Sequence, residues 1–341
     1  MLYLDGSYGE GGGQILRTSL SLSTLLGQPV KLANIRSGRP KPGLRPQHLT
    51  VVKALAEISQ AEVSGAVLNS QEITFRPRGV RPGPYLFDVA AKTGSAGSVT
   101  LIAQALLPPL LKAAGPTYLT LRGGTHVPWS PPAHYLSHVF LPALAHMGVQ
   151  VTMKLQRWGW YPQGGGEVQL AITPVTHLTG VRWLTPPPPE SFQALSAAAR
   201  LPEHVRQRQA ARLTEALGPK FPVEELQVNG PGPGSLVFLW GPLAGFSALG
   251  AKGKPAEKVA DEVISAYRLF RESGAATDRH LADQIALYLT MARGPSEILT
   301  ESITMHLLTN LWVIEQFLGP TFQRQGELGQ QGYIRCGGGM S

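Results

Sequence analysis

Apolar positions recur at helical spacing in three pairs of segments along the chain, and a strand-like run follows each helical one. The first helices of the pairs are "GGGQILRTSLSLSTLLG" from Gly11, "GSAGSVTLIAQALLPPLLKAAG" from Gly94 and "DRHLADQIALYLTMARG" from Asp278. "VKLANIRS", "PTYLTLRGG" and "SEILTESIT" follow them as strands. A second helix then opens near a histidine each time: "PQHLTVVKALAEIS" at His48, "PAHYLSHVFLPALAHMG" at His134 and "TMHLLTNLWVIEQFLG" at His306. β-like sequence closes each copy, as in "AEVSGAVLNSQEITFRP". The period is longer than that of a solenoid, so each copy reads as a small unit of two helices on a sheet, and three such units would share a core.

The third copy arrives late. Between about Thr176 and Ala275 lies a block opened by the rigid "TPPPPE", with a helix at Pro202–Leu217, a strand "GSLVFLWG" and a helix at Pro255–Ser273. The pattern predicts an α/β (α+β) chain with a large domain over residues 1–175 and 276–341 and a smaller inserted α/β domain over 176–275.

Composition narrows the partners. A formal charge of +8 and a pI near 9.7 point to an anionic partner, nucleic acid or polyphosphate. With Cys336 as the single cysteine, no intrachain disulfide and no cysteine zinc cage can form, which fits a reducing compartment, the cytoplasm by default. No basic stretch leads into an apolar run at the start, so no signal peptide is read there. The most apolar window, Val99 to Leu111, is too short to span a bilayer, and no membrane partner is expected.

Two stretches carry candidate chemistry. "GEGGGQ", Gly9 to Gln14, fits neither the dinucleotide pattern nor a Walker loop. Glycines at a helix start let backbone N–H groups approach an anion, although a plain tight turn has the same composition. The string "GGG" in "YPQGGGEVQL" is read as such a turn. Glu10 makes sense beside a phosphate if a divalent metal bridges the two, Mg²⁺ or Mn²⁺ by its oxygen chemistry; the other reading is an acid favoured by the helix dipole. "RSGRPKPGLRPQH" holds Arg36, Arg39, Lys41 and Arg45 among prolines and glycines with no acid, which reads as a rigid cradle for phosphate or RNA backbone; the other reading is a merely basic loop. A helix N-terminus also keeps imidazole neutral, as a nitrogen nucleophile requires. Position alone does not choose among the three histidines.

The strings "DGSYGEGGGQILR", "IRSGRPKPGLRPQHL", "TGSAGSVTLIAQALLP", "YPQGGGEV", "HLADQ" and "MHLLTN", in order from Asp5 to Asn310, closely resemble the RNA 3′-terminal phosphate cyclase family. The resemblance implies three units of two helices on a four-stranded sheet, like those of enolpyruvyl transferases, plus a small inserted α/β domain. It implies an ATP-consuming reaction on an RNA 3′-phosphate end. His306 would take AMP from ATP with loss of diphosphate, the RNA phosphate would take it from His306, and the ribose 2′-OH would close a 2′,3′-cyclic phosphate and release AMP. By motif match, Glu10 is the metal ligand, and Arg17, Arg36, Arg39, Gln47 and His48 line the terminal-phosphate side. Gln104, Pro131, His280, Leu281, Ala282, Asp283 and Gln284 line the nucleotide pocket. His280 stands where the family commonly has a tyrosine stacking on adenine. A non-catalytic cyclase-like RNA-binding protein of ribosome assembly and an enolpyruvyl transferase are the rival readings. The retained His306 speaks against the first, and the second has no use for a nucleotidylated histidine. Oligomeric state is not encoded in any of these motifs.

Overall fold

The computed structural model describes residues 1–89 and 96–339, so the predicted helix start at Gly94 lies outside the described residues. Three four-stranded sheets repeat one plan. In the first, Leu2–Asp5 runs parallel to Val30–Ala33, which pairs antiparallel with Ile73–Arg76, whose far side takes Glu62–Ser64. The second has Pro84–Asp88, Thr117–Gly123, Gly166–Thr173 and Gln150–Arg157 in the same order and sense. The third has Arg182–Trp183, Ser296–Thr300, Gly332–Cys336 and Phe322–Gln325.

Between the strands run the helix pairs: Gly13–Leu26 with Pro46–Ser59, Val99–Leu110 with a helix over 133–146, and Arg279–Met291 with Met305–Leu318. The helix over 133–146 is not uniform. A π turn, Leu136–Phe140, precedes Leu141–His146, because Pro142 has no N–H to give the regular bond back to the preceding turn. Strands such as Thr117–Gly123 alternate buried and exposed side chains, one face on the helices and one on solvent. Apolar side chains from all three units form one continuous core. Within it Gly13–Leu26 packs against both Val99–Leu110 and Met305–Leu318, which draws the glycine turn of the first unit to the last helix of the third.

The first strand of each unit escaped the hydrophobic pattern, since these are short edge strands of two to five residues. In the third unit that edge is also interrupted. Arg182 and Trp183 pair with Glu297 and Ile298, the chain departs, and Thr277 returns to bridge Thr300 on the same strand. Arg182–Trp183 therefore completes the third sheet although it falls inside the predicted 176–275 block. The departing segment folds around its own core, with sheet order Val223–Val228, Gln193–Ala199, Gly234–Gly241, Ala244–Leu249 and helices Glu203–Leu217 and Ala256–Ser273 on it. "QALSAAA" at Gln193 is rich in helix formers yet is the sheet's central strand, pairing on both sides and buried over six of its seven residues.

Candidate active site

The glycine turn explains itself only when its neighbours are considered. Gly9 and Gly11 have φ of +58° and +55°, which L side chains rarely adopt. A Cβ on Gly9 would strike the Thr309 hydroxyl, from the third unit's last helix, and one on Gly13 would strike the ring of His48 and crowd the Arg17 guanidinium. Close approach here is first of all protein against protein. Gly12, the residue before the helix, would meet only the tip of Arg39, at 3.3 Å.

That packing sets Glu10 against His306. The Glu10 carboxylate lies 2.7 Å from His306 Nδ1 and 3.6 Å from the Arg39 guanidinium, which also donates to the Glu10 carbonyl at 3.1 Å. His306 is the second residue of Met305–Leu318, whose start Thr304 caps by accepting from the Leu307 N–H. Partial burial lowers the imidazole's pKa from its ordinary value, the Glu10 carboxylate pulls it up, and Arg17 and His280 push it down again. With a carboxylate accepting at Nδ1, Nε2 keeps its lone pair, and no hydrogen bond occupies it among the described residues.

Beneath His306 a polar network fixes the two long helices. Gln14 donates to Asp283 Oδ1 and to the His306 carbonyl, both at 3.0 Å, and Asn310 donates to Asp283 Oδ1 at 2.8 Å. Thr18 donates to Asn310 at 2.6 Å. Burial raises Asp283 to about 7 in spite of Arg17 and Asn310, which favour its charge. Burial also lowers Arg17 to about 10, and no hydrogen bond ties its guanidinium among the described residues. Gln14, Thr18 and Asn310 were not singled out from sequence. The signal was there: polar residues on the inward face of otherwise apolar helices.

The network opens into a cleft of about 860 Å³ between the three-unit body and the helix Ala256–Ser273 of the insert. Of the residues matched to the nucleotide, Gln104, Pro131, His280, Asp283 and Gln284 line it, and Gln104 donates to Gln284. Leu281 and Ala282 do not line it; their side chains are buried in the core, and their N–H groups are bonded to Asp278. The start of this helix is held by buried Asp278, which accepts from the N–H groups of His280, Leu281 and Gly245 and from the Tyr135 hydroxyl.

The residues matched to the terminal phosphate fall outside the cleft except Arg17, and they are not equally free. Arg36, at φ +55°, turns its Nη1 into its own loop, onto the carbonyls of Lys41 and Gly43 at 2.7 and 2.9 Å. Gln47 accepts from the Ser98 N–H at 3.1 Å. His48 Nδ1 accepts from the Arg45 N–H at 3.2 Å, and burial with Arg17, Arg36 and Arg45 around it drives its pKa to about 3. Arg39 alone of this loop reaches toward His306. The third histidine at such a helix start, His134, is also lowered to about 3 by burial, against His126, Trp158 and Phe238.

No three His, Cys, Asp or Glu side chains are arranged to cage a metal among the described residues. Glu10 meets His306 and Arg39 through one oxygen, Oε2, and its part-exposed carboxylate keeps Oε1 unbonded among the described residues, as a divalent ion's oxygen ligand would need. No helix among the described residues is long and apolar enough to cross a membrane.

The model of a family described as RNA 3′-terminal phosphate cyclase matches residues 8–324. A protein of that name from Gloeothece citriformis is 46% identical over 327 residues, covering 93% of each chain. Another from Thermococcus kodakarensis is 45% identical over 344 residues, covering 97% of each. Among solved structures, an EPSP synthase from Acinetobacter baumannii matches 98% of this chain and 64% of its own, at 10% identity and a TM-score of 0.25.

Proposed function

Because the chain belongs to the RNA 3′-terminal phosphate cyclase family, we propose that it converts an RNA 3′-phosphate to a 2′,3′-cyclic phosphate at the expense of ATP, through AMP carried on His306. One observation carries the reading: an imidazole at the cleft whose Nδ1 faces the Glu10 carboxylate and whose Nε2 has no partner among the described residues. Nε2 attacks the α-phosphorus of ATP; the new P–N bond replaces the bond to the β-phosphate oxygen, and diphosphate departs. Glu10 shares the Nδ1 proton with the ring and so stabilises the positive charge the ring gains. An oxygen of the RNA 3′-phosphate then displaces His306 from the adenylate, and Arg17 and Arg39 orient that phosphate. Finally the ribose 2′-OH, losing its proton, attacks the activated phosphorus and expels AMP.

A divalent ion, Mg²⁺ or Mn²⁺, held by Glu10 and the triphosphate would neutralise phosphate charge when bound. Splitting one displacement into three is the gain of a covalent nucleophile. Gln104, Pro131, His280, Asp283 and Gln284, which line the cleft, are the residues that would hold ATP there.

The test is labelling. Purified protein given α-labelled ATP with Mg²⁺ or Mn²⁺ and no RNA acquires covalent AMP that is acid-labile and base-stable, as a phosphoramidate is. Equal labelling of His306→Ala would overturn the choice of nucleophile. A wild type that never labels with any divalent metal would favour the non-catalytic RNA-binding reading.

A further inference from the structure

Trp129 is 95% exposed, the most exposed large hydrophobic side chain among the described residues, and it lines the cleft. It holds φ +59°, a left-handed conformation that costs a bulky residue energy and that persists only where the surroundings impose it. Those surroundings are rigid. Ser130 is hydrogen-bonded back to the Val127 carbonyl at 3.1 Å, the Pro131 carbonyl accepts from Thr100 at 2.7 Å, and Pro131 and Pro132 follow. The chain thus presents a bare indole, on a stiff support, two residues from a proline at the cleft wall.

We propose that Trp129 is a stacking platform for the purine base of the bound nucleotide. This rests on the reading of the cleft as the ATP site. Indole is the largest aromatic face a side chain offers, and stacking on a nucleobase needs no hydrogen-bond code. The base, and not the RNA end, is the occupant because Trp129 shares the cleft with His280, Gln104 and Gln284, whereas of the residues matched to the terminal phosphate Arg17 lines it and Arg36, Arg39, Gln47 and His48 lie outside it. His280, at the helix start, supplies only an imidazole to the same cleft. The insert's helix also lines this cleft and contributes apolar Ala266 and Leu269, the latter 57% exposed, to it.

The experiment measures nucleotide binding directly, apart from turnover. In wild type, ATP quenches a part of the tryptophan emission that is missing in Trp129→Phe, and inorganic tripolyphosphate, which lacks a base, leaves that part unchanged. Trp129→Ala weakens ATP binding about tenfold or more, the scale of losing one base–aromatic stack. Trp129→Phe recovers most of the affinity, and tripolyphosphate binds all three proteins alike. Trp129→Ala binding ATP as tightly as wild type would overturn the assignment. So would a Trp129→Ala protein with normal ATP affinity but weakened binding of an RNA 3′-phosphate, since the platform would then serve the RNA. If wild type itself binds no ATP, the reading of the cleft fails, and Trp129 with it, an outcome distinct from both others.

Discussion

His48 and His306 occupy matching places in two copies of one unit, each at the start of the helix that follows the second strand, and they end in opposite states. His48 gives its Nδ1 lone pair to the Arg45 N–H, so its remaining proton sits on Nε2 against Gly13. His306 has a carboxylate at Nδ1, so its proton sits there and the lone pair is left on Nε2. One ring has its Nδ1 lone pair taken and its Nε2 packed against Gly13; the other, the proposed nucleophile, keeps its Nε2 lone pair. The helix N-terminus is common to both and decides neither. What decides is the neighbour at Nδ1, a main-chain donor of the same loop in one case and Glu10 of another unit in the other. A repeated fold can therefore place histidines at matching helix starts in different hydrogen-bonded states without changing its plan.

The strongest way to break the contrast is to remove the reactive ring. His306→Ala should lower adenylylation on the order of a thousandfold or more, the scale at which deleting a covalent nucleophile is felt. Label retained in that protein but lost in His48→Ala would reverse the assignment.

Next comes the carboxylate. Glu10→Gln should slow adenylylation on the order of a hundredfold, as loss of a positioned charge at a reacting group commonly does. It should also displace the acid limb of the pH–rate profile. Glu10 raises the pKa of His306, so the neutral imidazole should persist to lower pH without it, and the limb should move to lower pH. An unmoved limb, with activity recovered by excess Mg²⁺, would make Glu10 a metal ligand alone.

A smaller effect separates the arginines. Arg39→Ala should slow transfer of AMP to RNA by roughly 1.5–3 kcal/mol, one charge-assisted contact, and slow histidine adenylylation less. Single-turnover rates of the two steps would show it. Equal losses in both would assign Arg39 to ATP. Arg36→Ala is the poorer probe, because its guanidinium holds the loop carbonyls and its loss disturbs Arg39 as well.

Least of all, His48→Ala should leave adenylylation near wild type and destabilise the fold by about 0.5–2 kcal/mol, the scale of a lost helix-start contact. The folded-state pKa of about 3 lies below the ordinary 6.5, so unfolding takes up a proton between those values. The stability due to a neutral His48 is complete above pH ~6.5 and is lost as the pH falls toward ~3. The variant should accordingly lose melting temperature less steeply with acid than wild type over that window. Parallel curves would mean that His48 is not held neutral.

Much of this was legible in the sequence because it is periodic. The helix Pro46–Ser59 falls on the predicted segment residue for residue, and the three histidines do open second helices. What stayed hidden depends on contacts distant along the chain. Nothing local says that Glu10 faces His306, that Gln14 braces Asp283, or that Arg36 folds back on Gly43. Leu281 and Ala282 share a motif with Asp283, yet a helix turns adjacent residues to different faces, two into the core and one to the cleft wall. Trp129 is visible in any reading as an aromatic in a proline-rich stretch, and only the backbone geometry shows that it stands clear.

The hydrogen bond between Gln14 and the His306 carbonyl joins residues 292 positions apart, and Glu10 meets the same histidine. Synthesis therefore makes the glycine turn and the arginine loop well before the ring they meet. A chain stopped short of Met305–Leu318 carries the turn and the loop without His306. On the proposed function, such a chain would offer a site for phosphate and nothing to take AMP from ATP.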